Sequence, residues 1–249
     1  VDYLFLAMCR SGHHAVLYWL AKQLPGRVEH LNHCMGGWKE KKLKPLVGTE
    51  IINNKGEGNS TLYSVEEFDM YDWNKYGIDE FSPERRVLVV RDPFNWVASS
   101  IKKEGAHLNN LFDCYTDDKG DYPTSPTTEL WCRQVKEAVG ESQIIPGLIV
   151  VNYNKWFFDI KYRKKLSERL EVKFSDEGLS IVPQWGRGSS FDERKYNGRA
   201  QEMGVLSRWR IFVDNPIFKR VAEDEVINSL SVNFFGLRWN KETKKVENC

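Results

Sequence analysis

RRVLVVRD (Arg85–Asp92) decides the architecture. Four consecutive apolar residues, Val87–Val90, stand between charged flanks, the signature of a strand buried on both faces. Pro93 follows, suited to the first turn of a helix, and NWVASSIKK continues with that period. The same pattern recurs on either side. YLFLAM (3–8) is an apolar run of strand length ending in the polar cluster CRSGHH. HAVLYWLAKQL then places Val16, Leu17, Leu20 and Leu24 at helical spacing before Pro25–Gly26 stop it. GLIVVNY (147–153) reads as a strand and KWFFDIKYRKKLSERL (155–170) as the helix after it. RVEHLNHC (27–34), TEIINN (49–54) and STLYSVEEF (60–68) read as further strand or extended segments. Helical patterns cover Thr128–Glu141, Val205–Val213 and Asp224–Phe235. Doubly apolar strands alternating with helices imply an α/β chain, a single domain over 1–249 with a parallel sheet covered by helices. In such sheets ligands bind beyond the carboxyl ends of the strands. Arg10–His14, Arg91–Pro93 and Tyr153–Asn154 all follow such ends and are expected to converge.

Composition narrows the function classes. The 249 residues are 41% hydrophobic and 29% charged, with 36 Lys plus Arg against 35 Asp plus Glu. There is no global excess of positive charge to hold nucleic acid or an acidic membrane surface, so any anion site is local. No apolar run approaches the roughly 20 residues that span a bilayer, and Tyr3–Cys9 is too short for a secretory core. The five cysteines are irregularly spaced and form no CxxC pair, which favours free thiols, a cytoplasmic location and no structural zinc. A Cys114–Cys132 bridge is the one disulfide worth testing.

Three segments carry chemistry. In CRSGHH, a strand, a Gly-containing turn and a helix start offer unpaired N–H groups and the positive end of a helix dipole to an anion. Arg10 adds a fixed cation, and Ser11 and His14 add donors; the plainer reading is an ordinary turn capped by Ser11. The loop lacks the GxxxxGK[ST] pattern and its Lys, which weakens a kinase or NTPase reading. In RDPFNWVASS, Arg91 ends the strand and Ser99 falls eight residues later, so the two could hold one phosphate. The plainer reading pairs Arg91 with Asp92 and turns Ser99 to solvent. The third segment, WGRGSSFDERKYNGRA (185–200), is polar and Gly/Ser-rich.

Together these segments resemble the motifs of the PAPS-dependent sulfotransferase family, whose donor is 3′-phosphoadenosine 5′-phosphosulfate (PAPS) and whose product is its desulfonated form, PAP. RSGHH is similar to the K-S-G-T-T loop on the 5′-phosphosulfate, and RDPFNWVAS to the R-[ND]-P-x(5)-S element on the 3′-phosphate. The resemblance implies a P-loop-like sulfotransferase architecture and a nucleotide site of Arg10, Ser11, Gly12, His13, His14, Arg91, Ser99, Tyr153, Arg187, Gly188 and Ser189, with Tyr153 near the adenine. Arg10 stands where most members carry Lys and can stabilise charge but cannot act by losing a proton. His13 and His14 replace the usual Thr pair, and Ala15 stands where an aromatic residue often meets the adenine.

The family's general base comes from between the two phosphate motifs. His33 is favoured there, with Glu50, Glu66 and Asp69 as acidic alternatives. Strand alternation puts His30 and His33 on opposite faces, and His107 could meet the acceptor or solvent. The resemblance makes 104–130 the acceptor-pocket loop. Its acidic residues, Asp117 and Asp118 among them, suggest a small cationic acceptor, of the kind found among natural-product tailoring members acting on saxitoxin-type alkaloids. The expected partners are this acceptor and PAPS, with no metal, nucleic acid or membrane. The competing reading is a P-loop-like nucleotide-binding protein or kinase without sulfonate transfer.

Overall fold

The computed structural model describes residues 1–35, 44–73, 83–104, 111–112, 126–184 and 188–249. Its centre is a six-stranded sheet in the order β3-β2-β4-β1-β5-β6. The strands are β1 (Asp2–Ala7), β2 (Arg27–Met35), β3 (Lys44–Asn53), β4 (Asn59–Glu66), β5 (Arg85–Val90) and β6 (Leu148–Asn152). β1 lies parallel between β4 and β5, and β6 extends the sheet in parallel beyond β5. β2 also runs parallel to β4. Only β3 departs from the expected direction: it pairs antiparallel with β2 at the sheet edge.

Both faces of the sheet are buried at its centre, which explains the uninterrupted apolar runs of β1 and β5. In β1, Leu4 and Leu6 enter one core, while Tyr3, Phe5 and Ala7 enter the other. In β5, Leu88 and Val90 join the first core, and Val87 and Val89 the second. The first core is closed by α2 (Pro93–Glu104), α3 (Thr127–Ala138), α6 (Pro216–Ala222) and α7 (Glu225–Phe235). The second is closed by α1 (His13–Ala21), α4 (Tyr153–Phe158) and α5 (Ile160–Arg169). Each fully buried aliphatic or aromatic side chain in these layers contributes about 1.5–3 kcal/mol. Trp19, Trp131 and Trp156, at helical spacing, are buried, and so is Trp209.

Three local expectations are corrected. The run 155–170 is two helices, because Asp159 stops α4 and caps α5, its Oδ1 accepting from the N–H groups of Lys161 and Tyr162 at 2.8 and 3.2 Å. The pattern over Val205–Val213 forms a short 3₁₀ turn, Arg208–Phe212, rather than an α-helix. The chain closes with a hairpin, β7 (Leu237–Asn240) and β8 (Lys245–Asn248), which the sequence reading missed. Cys132 is in the thiol form, as are Cys9, Cys34 and Cys249; Cys114, the other half of the expected bridge, lies outside the described residues. No helix among the described residues is long and apolar enough to cross a membrane.

Candidate active site

Parallel strands bring the ends of β1, β4, β5 and β6 to one edge of the sheet, where a cavity of about 560 Å³ opens. Arg10, Gly12, His13, His14, Arg91, Tyr153, Gly188 and Ser189 all line it. The loop after β1 is tightly wound: Arg10 and Gly12 both adopt positive φ, 65° and 83°, and the N–H of Ser11 donates to Met8 O at 3.1 Å. Gly12 caps α1 without any side-chain hydrogen bond, which leaves the first N–H groups of the helix available to an anion. A Cβ on Gly12 would lie 2.5 Å from the Tyr153 ring, so glycine is what lets β1's loop close against the residue after β6. Ser11 does not cap the helix; its buried hydroxyl lies 3.3 Å from His13 Nδ1.

Beyond β5, Arg91 is only 2% exposed. Its Nη1 donates to Ser99 Oγ and to Arg10 O, each at 3.1 Å, and its Nη2 to Val205 O at 2.5 Å. Ser99 therefore faces Arg91 and not solvent. Asp92 is occupied otherwise, accepting from the Asn95 N–H at 2.8 Å. The indoles of Trp131 and Trp96 fix the neighbouring backbone, donating to Arg91 O and Cys9 O at 3.0 Å each.

Sequence reasoning missed Arg208, which carried no recognisable spacing. Its Nη1 also reaches Ser99 Oγ, at 3.4 Å, and its Nη2 donates to Ser189 Oγ at 2.6 Å. Burial and the adjacent Arg91 bring its guanidinium down to about 10. Two buried arginines thus converge on one serine, with Asp192 3.4 Å from Arg208. Arg91 Nε, also buried, has no hydrogen-bond partner. Like charges held this close are stabilised by an anion between them. Gly188, at φ 79°, starts the turn that presents Ser189. Arg187 and Trp185 lie outside the described residues, as do His107, Asp117, Asp118 and most of the 104–130 loop.

A second cluster forms at the ends of β2 and β4. Glu66, the last residue of β4, lies 3.0 Å from His13 Nε2, 3.8 Å from His14 Nε2 and 3.4 Å from His33 Nδ1. Cys9 Sγ donates to its other oxygen at 2.7 Å, and His14 Nε2 is 3.0 Å from Asn32 Oδ1. Glu66 lines the cavity, whereas His33 stands behind it. The register shifts between Asn32 and Cys34 with His33 at φ 54°. The His30 ring Nε2 and the His33 backbone N–H lie 3.0 and 3.2 Å from the Ser64 hydroxyl. Burial, with His13 beside it, pushes His14 down to about 3, and burial likewise drives His30 well below its usual range. Burial alone would raise the Glu66 carboxyl, but its contacts with His13, His33 and His14 outweigh that and hold it well below the carboxylate range. Of the other acidic alternatives, Glu50 lines the cavity with its carboxyl raised by burial. Asp69 is committed elsewhere, capping a 3₁₀ turn and pairing with Arg133. His13, His14 and Glu66 also have the donor types and proximity to hold a metal ion, although no ligand spacing announces it.

The chain is similar in structure to mouse sulfotransferase SULT7A1, solved in complex with PAP, at a TM-score of 0.50 over 92% of this chain and 88% of that one. The fold is that of a sulfotransferase. Sequence identity over the match is 13%, so the likeness speaks for the architecture. No protein-family model and no curated protein matches the sequence. Within the sulfotransferase fold, the cavity lies at the carboxyl ends of the parallel strands, where α/β sheets hold their ligands.

Proposed function

We propose that the chain transfers the sulfonate group of PAPS to a hydroxyl or amine of a small acceptor. The observation that carries this reading is the buried pair Arg91 and Arg208 on Ser99, set on the same cavity as the uncapped start of α1. One doubly phosphorylated nucleoside satisfies both anion sites at once. Arg91, Ser99, Arg208, Gly188 and Ser189 hold the 3′-phosphate, with Arg187 as a further contact expected from the motif. Arg10, Ser11, Gly12, His13 and His14 hold the phosphosulfate end, and Tyr153 stands beside the adenine.

PAPS is the activated donor, so the chain's task is to orient the donor and stabilise charge, much as in phosphoryl transfer. As the acceptor oxygen or nitrogen bonds to sulfur, the sulfur–oxygen bond to the phosphate breaks and PAP keeps that electron pair. Arg10 and the α1 N–H groups neutralise the charge gained by the leaving phosphate. Glu66 reaches the cavity wall and relays the acceptor proton to His33 behind it, whose imidazole faces the carboxylate at 3.4 Å.

The acceptor end favours a cationic molecule. Glu50 and Glu66 both line the cavity, which supports an amino- or guanidinium-bearing acceptor, including natural products of the alkaloid type, without need of the 104–130 loop. Replacing Glu50 with Gln raises the acceptor KM and leaves PAP affinity unchanged; an unchanged KM removes the cationic-acceptor reading.

The deciding experiment incubates the chain with sulfur-labelled PAPS and a panel of phenols, alcohols, amines and sugars and follows transfer of label. PAP binding that persists in chelator separates this reading from a kinase, which needs magnesium. Absence of both label transfer and PAP binding refutes it.

A further inference from the structure

We propose that His13, His14 and Glu66 form a binding site for one divalent transition-metal ion of the zinc class. Nε2 of both histidines and a carboxylate oxygen of Glu66 lie within 4.8 Å of one another. Two donors bound at about 2.1 Å in tetrahedral geometry stand about 3.4 Å apart. The Glu66 Oε1 distances, 3.0 Å to His13 and 3.8 Å to His14, bracket that spacing.

The decisive detail is His13. Its side chain is 3% exposed, and its Nε2 lies 3.0 Å from Glu66 Oε1 yet has no hydrogen-bond partner. Its other nitrogen, Nδ1, faces Ser11 Oγ at 3.3 Å. If Nδ1 carries the proton and gives it to Ser11, Nε2 presents a lone pair toward a carboxylate that also presents lone pairs. Two acceptors that close are relieved by a cation between them, either a proton on Nε2 or a metal ion. Ser11 thus plays the part of the outer partner that orients a metal-ligating histidine. On the far side, Cys9 Sγ and His33 Nδ1 hold the other carboxylate oxygen at 2.7 and 3.4 Å, leaving Oε1 to the ion. The rings of His13 and His14 lie 4.0 Å apart, tilted by 39°, and His14 Nε2 meets Asn32 Oδ1 at 3.0 Å, a contact that the ion would displace. All three ligands line the cavity, which leaves a further coordination position for water or an incoming oxygen.

Two imidazoles and one carboxylate select zinc, cobalt, nickel or copper over magnesium and calcium, which prefer all-oxygen shells. An ion here would occupy the carboxylate assigned above as proton relay. The site itself is independent of the sulfonate-transfer reading, because its test reads metal rather than turnover.

The test strips the full chain with chelator, titrates in Co²⁺ and records the visible d–d absorption, then displaces it with Zn²⁺. The expected result is one equivalent with the intensity of a low-coordinate N/O site. His14→Ala and Glu66→Gln each weaken binding by about 10-fold or more, and Ser11→Ala weakens it less, since Ser11 only orients His13. Cys249→Ser leaves binding unchanged and controls for a thiol outside the cluster. No d–d signal, or one that survives His14→Ala and Glu66→Gln together, overturns the proposal. If Glu66→Gln fails to fold, His14→Ala decides alone.

Discussion

The cavity has two ends built from different chemistry. At one end, Arg91 and Arg208 supply fixed positive charge, converging on Ser99 and locked by backbone carbonyls and Ser189. At the other, His13, His14 and His33 surround Glu66, so the charge there depends on protons or on a bound ion. A guanidinium cannot release its charge at neutral pH, whereas an imidazole–carboxylate cluster can redistribute its own. On the proposed reading, the first end grips the nucleotide and the second carries the reaction.

The largest effect should come from the reacting end alone. Glu66→Gln is expected to lower sulfonate turnover by about 10²- to 10⁴-fold while PAP affinity, read by calorimetry, stays within a few-fold. Equal losses in both would erase the distinction between the ends. Arg91→Met does the converse, weakening PAP binding by about 100-fold, as expected when one partner of a buried charged contact is lost. A change below about threefold in that titration would show that the buried arginines do not grip the nucleotide.

Gly12→Ala tests the joint between the ends. The added methyl meets Tyr153 at 2.5 Å on a backbone at φ 83°, and a thermal melt should show a loss of about 1–3 kcal/mol. Tyr153→Leu in the same chain should recover part of it. The smallest effect concerns Cys34, which follows His33 in β2. Burial pushes its thiol up to about 12, so the reactive thiolate stays scarce until pH approaches that value. Iodoacetamide at mildly alkaline pH should label exposed Cys249 and spare Cys34, which mass spectrometry of peptides resolves. Labelling of both at similar rates would mean that β2 opens readily beside the cluster.

The gripping end was far more legible in the sequence than the reacting end. Arg91 and Ser99 sit on one strand–helix unit, so an eight-residue spacing and the helical period suffice to bring them together. Arg208 was not legible, because it comes from a distant 3₁₀ turn and meets Ser99 only through packing. Glu66 appeared among several acidic alternatives to His33. β4 lying beside β1 is what sets Glu66 against the loop of His13 and His14.

The sequence by itself determined the α/β class, the doubly buried β1 and β5 and the polar turns after them, because hydrophobic period and turn chemistry are local properties of the chain. Tertiary structure alone decided the antiparallel β3 edge, the bulge that turns His33 toward Glu66, the second arginine on Ser99 and the histidine–carboxylate cluster. Each of these depends on which strands become neighbours and how closely they approach, and no spacing along one chain encodes that directly.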